Sequence, residues 1–197
     1  SYHDPDYYFG LDALHKAFPE AQILSTAQTA YLIEASKDFK LNVWKDQLGA
    51  DAPDSLLVPQ PVDSLPSIEG NALQIKYNSN VTAHPFVWIP SLRAIVGGGS
   101  VTEGFHVWMA DTKGDKGLEQ WQKVISAMKQ LNPATVIPAH YLSSDYKLTV
   151  LDFMDKYLAD YRQAAAESKN AAELTAAMEK ACQELPGKEN LGFGAKV

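Results

Sequence analysis

Phe86-Val87-Trp88-Ile89-Pro90-Ser91-Leu92-Arg93-Ala94-Ile95-Val96-Gly97-Gly98-Gly99 is the stretch on which the fold turns. Two short apolar runs rich in β-branched and aromatic residues flank Ser91-Leu92, a pattern that predicts a tight β-hairpin. Three glycines follow the second run, and glycine permits positive φ and close backbone approach. No Gly-Lys-Ser/Thr comes after them, so this is not a phosphate loop. Downstream, Leu118, Trp121, Val124, Ile125, Met128 and Leu131 recur at helical spacing until Asn132-Pro133 ends the helix. Residues 134–137 are short, apolar and delivered by a helix, which predicts a buried strand of the parallel type. A hairpin beside a helix-to-strand unit gives an α/β fold with a mixed sheet. Its chemistry-bearing groups fall at strand exits, among them His140 in Pro138-Ala139-His140-Tyr141.

Upstream of the hairpin, residues 72–77 alternate as a half-buried strand, and Asn78-Ser79-Asn80 is turn chemistry. Residues 51–70 carry Pro53, Pro59, Pro61 and Pro66 and read as an irregular connection with one strand at 56–58. Thr26 is a good N-cap for a helix that ends near Gly49, and the short apolar run 21–25 before it reads as a strand. Leu11, Leu14 and Phe18 predict a short helix stopped by Pro19. Downstream of the hairpin, residues 101–115 form a loop carrying Phe105-His106-Val107-Trp108. Two helices, 145–168 and 171–184, follow the parallel strand, and Asn170 with Glu173 resembles a capping box. The tail from Pro186, with its glycines, is expected to be poorly ordered or docked as a strand.

The start of the chain, Tyr2-His3-Asp4-Pro5-Asp6-Tyr7-Tyr8-Phe9-Gly10-Leu11, packs an imidazole and two carboxylates into four residues. In an extended backbone Asp4 and Asp6 would point to the same side, as two donors to one cation would. The other reading is an Asx-turn capping the helix that follows. If both acids were buried together without a cation, their repulsion would raise one pKa and make an acid–base pair.

The chain has 197 residues, 46% hydrophobic and 10% aromatic, enough for a core in one ordinary domain with a helical appendage. A net charge of −7 and a pI near 5.2, with lysines and arginines scattered, argue against nucleic acid and anionic membrane surfaces as partners. No apolar run approaches the roughly 20 residues that span a bilayer. The single cysteine, Cys182, excludes an internal disulfide and a multi-Cys zinc site, and reads as an inert, half-buried thiol. The chain begins with Ser and without a signal segment, so the expectation is a removed leader or a piece of a longer product.

The order of segments resembles the metallo-β-lactamase superfamily over roughly residues 1–141. The resemblance is carried by the acid-rich loop and helix, the hairpin ending in glycines, Gly104-Phe105-His106-Val107-Trp108-Met109-Ala110-Asp111, the long helix, and the strand ending Pro138-Ala139-His140. It is similar to a divergent bacterial branch whose first motif contains Asp-Pro-Asp-Tyr-Tyr-Phe-Gly. The family pattern His-x-His-x-Asp-His, laid over residues 2–7, keeps Asp6 in type and replaces one histidine with Asp4. Tyr2 and Tyr7 stand where histidines would be, and His3 lies one place out of register. The resemblance implies a second histidine between Asn78 and His84, a bridging aspartate replaced by Gly98, and a retained last histidine, His140.

What the resemblance implies is a partial αββα sandwich: residues 1–141 as its C-terminal portion and 142–197 as a helical extension packed on it. The usual dinuclear zinc site is excluded by the lost ligands, leaving one oxygen-rich site from Asp4, Asp6 and His140, with His3 or His84. That set would hold zinc weakly or suit a harder divalent cation. Two functions follow. One is a metal-dependent hydrolase of a small-molecule substrate with a reduced, mononuclear site, in which Asp6, Tyr7 and Tyr141 serve the chemistry, a tyrosine donating to the developing oxyanion. The alternative is a non-catalytic relative that binds a small molecule or protein partner without metal, through Tyr7, Tyr8, Phe105, Trp108 and Tyr141 clustered at one mouth. These aromatics also read as ordinary core and rim, His106 as a loop hydrogen-bonder and His15 as a surface or packing residue. Strands absent from the sandwich imply a homo-oligomer or association with a missing N-terminal segment. Exported relatives point to the periplasm, with the cytoplasm the other compartment. Ser143-Ser144 lack a nucleophile elbow, so serine hydrolase chemistry has no support.

Overall fold

The hairpin forms where the sequence predicts it. In a computed structural model of the chain, which describes residues 2–78, 81–112, 114–142 and 149–195, four strands make one sheet in the order β3-β4-β5-β6. They are β3 (Gln74–Asn78), β4 (Val81–Ile89), β5 (Ala94–Val96) and β6 (Thr135–Ile137). β4 and β5 are antiparallel, with Trp88 opposite Ile95. β5 and β6 are parallel, with Ile95 opposite Val136. The sheet is therefore mixed, as the helix-to-strand pattern implied. A 3-10 turn, Pro90–Leu92, closes the hairpin, followed by Arg93 at φ 45°. Positive φ is uncommon for a long side chain. The guanidinium of Arg93 anchors it by donating to the carbonyl of Asn132 (Nε, 3.1 Å).

The chain divides into two units, Ser1–Ile75 and Lys76–Val197. In the second, alternation along β4 turns His84, Phe86 and Trp88 to the covered face, together with Ile95 and Val136. Helix α4 (Gly114–Gln130) lays Leu118, Trp121, Val124, Ile125 and Met128 into that core. Helix α5 (Thr149–Glu167) packs on α4 with Leu151, Met154, Tyr157 and Leu158, and α6 (Ala171–Ala181) adds Leu174 and Met178. Each large apolar side chain so buried contributes roughly 1.5–3 kcal/mol relative to exposure. The helices of the C-terminal segment thus share a core with the sheet. Asn170 caps α6 by accepting from the amide of Glu173 (3.0 Å), and the Glu173 carboxylate accepts from the amide of Lys169 (2.8 Å).

Over its described residues, 186–195, the tail corrects the sequence reading, because it is neither loose nor a strand. It forms helix α7 (Lys188–Gly194), with Leu191 fully buried. Of the helix's two glycines, Gly194 is at a close contact and Gly192 is not. A Cβ on Gly194 would lie 2.6 Å from that of Met109.

In the first unit, the opening acids sit on a helical turn. Asp4 is extended (φ −82°, ψ 148°), but Pro5 starts the four-residue turn α1 (Pro5–Tyr8) at the position where its fixed φ suits a helix. The amide of Tyr7 donates to the carbonyl of Asp4 (3.0 Å). The extended Asp-Pro-Asp step that would align the two carboxylates is thereby overturned. The Asp4 side chain makes no capping bond either. After α2 (Leu11–Ala17), β1 is only Leu24–Ser25, shorter than the expected 21–25. Thr26 caps α3 (Ala27–Leu48) through the amide of Thr29 (3.0 Å), and Gly49, at φ 54°, ends it. The strand expected at 56–58 falls instead at β2 (Gln60–Pro61), parallel to β1. Proline spacing explains the shift. Pro59 and Pro61 have no N–H, and the amides between and after them, Gln60 and Val62, donate to Ile23 (2.8 Å) and Ser25 (2.9 Å). Asn78 closes β3, while Ser79, Asn80, Lys113 and residues 143–148 lie outside the described residues.

Candidate functional site

Past Val96 the chain does not leave the sheet at once. Gly97 donates to the carbonyl of Ile137 (2.9 Å), Ala139 to Val101 (3.0 Å) and Glu103 to His140 (2.8 Å). Thr102 and His140 form a parallel bridge. Segment 97–103 therefore runs beside 137–140 and carries the β5–β6 pairing out to the sheet rim. The glycines make this fold-back possible. A Cβ on Gly97 would lie 2.6 Å from Val101 Cγ2, and Gly98 takes φ 54° beside the carbonyl of Pro85. The close approach read from the three glycines is thus to the chain's own backbone.

His140 is held at this rim by its main chain, with its half-buried ring edge-on to Phe105 (6.1 Å between centroids, 71°). Tyr141 is 41% exposed and Leu142 67%, with Leu142 lying over Gly104. Phe105, His140, Tyr141 and Leu142 thus form an apolar rim around an imidazole. Beneath it, Trp121 donates its indole N–H to the carbonyl of Ser100 (2.9 Å) and stacks on His84 (4.2 Å, 17°). His84 belongs to the core-facing row of β4 and is 6% exposed. Ser100 Oγ and Glu103 Oε2 are buried and have no hydrogen-bond partner among the described residues. Glu103 was not singled out from sequence, because only the 103–140 pairing brings it to the rim.

The other sequence-predicted residues, His3, Asp4, Asp6 and Tyr7, belong to the first unit. Asp4 is paired with Lys40. The Lys40 ammonium lies 3.4 Å from Asp4 Oδ1 and 3.1 Å from the carbonyl of His3, to which it donates. The Asp4 and Lys40 side chains are 21% and 15% exposed. His3 Nε2 is 3.8 Å from the same carboxylate oxygen. Asp6 is exposed on the helical turn. Burial, then the charges of Asp4 and Asp6, push the Tyr7 phenol well above its usual range, so it stays protonated and able to donate. Burial, with Asp4 and Asp38, pushes Tyr8 up to about 12, and its buried hydroxyl has no hydrogen-bond partner among the described residues. Sequence gave no sign of Lys40, which is 36 residues from Asp4.

Lys40 decides the fit of a metal to the opening acids. The oxygens of Asp4 and His3 already surround a cation. A divalent ion on Asp4 would meet the ammonium at roughly 4 Å, which costs about 4 kcal/mol per unit of ionic charge near a protein surface. A divalent ion on Asp4 would thus have to displace Lys40 or bear its repulsion.

The first unit also holds an open cavity of about 380 Å³ lined by Phe9, Asp12, Lys16, Leu48, Pro53 and Asp54. Asp51 lines it too, and Lys16 is paired with two of its three carboxylates. Lys16 lies 2.8 Å from both Asp12 and Asp54, and Ser55 donates to Asp12. His15 is exposed, and Cys182 is half-buried with its thiol pushed up first by burial. No helix among the described residues is long and apolar enough to cross a membrane. The chain matches no family model and no curated protein.

Proposed function

We propose that the protein is a metallo-β-lactamase-like binding protein that takes a small apolar or aromatic molecule at the rim around His140. The observation that carries this reading is the rim itself, an imidazole framed by Phe105 with Tyr141 and Leu142 exposed beside it. Such a surface offers apolar contact and one polar group to orient a ligand. The metal-free part of the reading is supported by Lys40, which supplies the positive charge at Asp4. The partial αββα sandwich belongs to the same proposal, supported by the mixed sheet and by the backbone pairing that brings segment 97–103 beside His140. The test is titration with the fluorescent probe 1-anilinonaphthalene-8-sulfonate. Saturable binding that weakens about tenfold in Leu142→Ser and in His140→Ala is expected, a change of about 1.4 kcal/mol. Binding unchanged in both variants overturns the reading.

A second reading is a metal-dependent hydrolase with a reduced site. It is favoured by the half-buried imidazole of His140 just past the exit of β6. In that reading zinc or another divalent cation rests on His140, and the hydroxyl of a tyrosine such as Tyr141 donates to the substrate. Stoichiometric metal lost on His140→Ala would favour it over the first.

A further inference from the structure

His106 is fully buried in the second unit. Its Nδ1 lies 3.0 Å from the hydroxyl of Tyr157 on α5, and its Nε2 has no hydrogen-bond partner among the described residues. The backbone N–H of Val107 donates to the same phenol oxygen. Burial keeps that phenol protonated, and in one imidazole tautomer it donates that proton to Nδ1. The neutral ring then carries its own proton on Nε2.

The loop around His106 is also where α7 docks. The amide of His106 donates to the carbonyl of Pro186 (2.9 Å), and the Asn190 side chain donates to the carbonyl of His106 (3.0 Å). A Cβ on Gly187 would make only ordinary contact with Phe105 and the His106 amide, and it is the φ of 82° that favours glycine there. Leu191 and Gly194 complete the attachment, Gly194 against Met109. The docked helix has only seven residues, so its attachment is a small cooperative unit able to open by itself.

We infer that His106 is an acid-sensitive latch, and that protonating its ring releases the C-terminal segment 186–194 from the loop 105–109. A doubly protonated ring presents an N–H to Tyr157, whose own proton must then turn away from it. The second N–H, with its positive charge, gains no acceptor. The charged groups around the ring are Glu179 on α6 and Lys188 and Glu189 on α7. Glu179 and Lys188 pair with each other at 3.3 Å, so their fields largely offset. None of these carboxylates hydrogen-bonds the ring. Burial accordingly holds the imidazole below its ordinary value of 6.5. A depressed histidine binds fewer protons folded than unfolded. Its contribution is therefore complete above that ordinary value and declines as the pH falls from there towards the folded value.

The experiment is hydrogen exchange by mass spectrometry on the whole chain at pH 7.5 and 5.0, corrected for intrinsic rates, with His106→Gln beside the wild type. Protection of amides in 186–194 is expected to fall by roughly tenfold or more at pH 5.0 in the wild type, while β4 and α4 stay protected. In His106→Gln the protection of 186–194 is expected to be the same at both pH values. An equal fall in the variant, or none in the wild type, overturns the latch. Should His106→Gln not fold, ring-proton NMR of wild-type His106 decides. Titration below 6.5 together with opening of the segment supports the latch, and titration while 186–194 stays protected overturns it.

Discussion

Two regions carry the histidines and acids that stand out in the sequence, and they are held in different ways. At the start of the chain, Asp4 is engaged through its side chain by Lys40 and His3. At the sheet rim, His140 is positioned through its main chain, by the amide of Glu103 and the bridge to Thr102. A carboxylate matched by an ammonium has its electrostatic demand met within the protein. A ring placed by its backbone presents its chemistry at the rim while the scaffold stays rigid. The comparison teaches that a dense run of ligand-type residues marks a site only after the charges it recruits are known.

The largest contrast should come from the cores beneath these regions. Trp121→Ala removes the indole that bonds Ser100 and stacks on His84, and is expected to cost about 3–5 kcal/mol in chemical denaturation. Phe39→Ala on α3, 72% exposed, should change stability by about 0.5 kcal/mol or less. Similar losses from the two would break the account of where the core lies.

The glycines sharpen the comparison further. Gly97→Ala drives a Cβ into Val101 and is expected to destabilise by about 1–3 kcal/mol. Gly10→Ala, at φ −78° with open space around it, should be neutral or stabilising by up to about 1 kcal/mol. Thermal unfolding of both variants reads the difference.

Lys40→Met should have a small stability effect, a loss of about 1 kcal/mol or less for a partly exposed ion pair. Its consequence for binding is larger in principle, since the carboxylate of Asp4 loses its ammonium. Calorimetric titration with zinc is expected to detect more uptake by the variant than by the wild type. Equal uptake would mean that Lys40 does not govern the charge there.

Local rules made part of this legible. The hairpin, the parallel strand after an amphipathic helix, the Thr26 cap and the Asn170–Glu173 cap are set by neighbours a few residues apart, and all are present. The remainder needed contacts that spacing does not encode. Pro5 suits a strand or the first turn of a helix equally, and the chain uses it for the helix. The glycines of 192–194 look like a loose tail until Met109, over eighty residues away in sequence, is known to press on Gly194. Lys40 among the lysines of α3, and Glu103 in a loop, carry no local mark of their roles. Topology alone brings them to Asp4 and to His140.

The account rests on Lys40, rather than a metal, balancing Asp4. Elemental analysis by inductively coupled plasma mass spectrometry, on wild-type protein purified without chelator and then equilibrated with zinc and desalted, tests this most directly. Far less than one metal ion per chain is expected. One tightly held ion per chain that disappears in both Asp4→Ala and His140→Ala would contradict it.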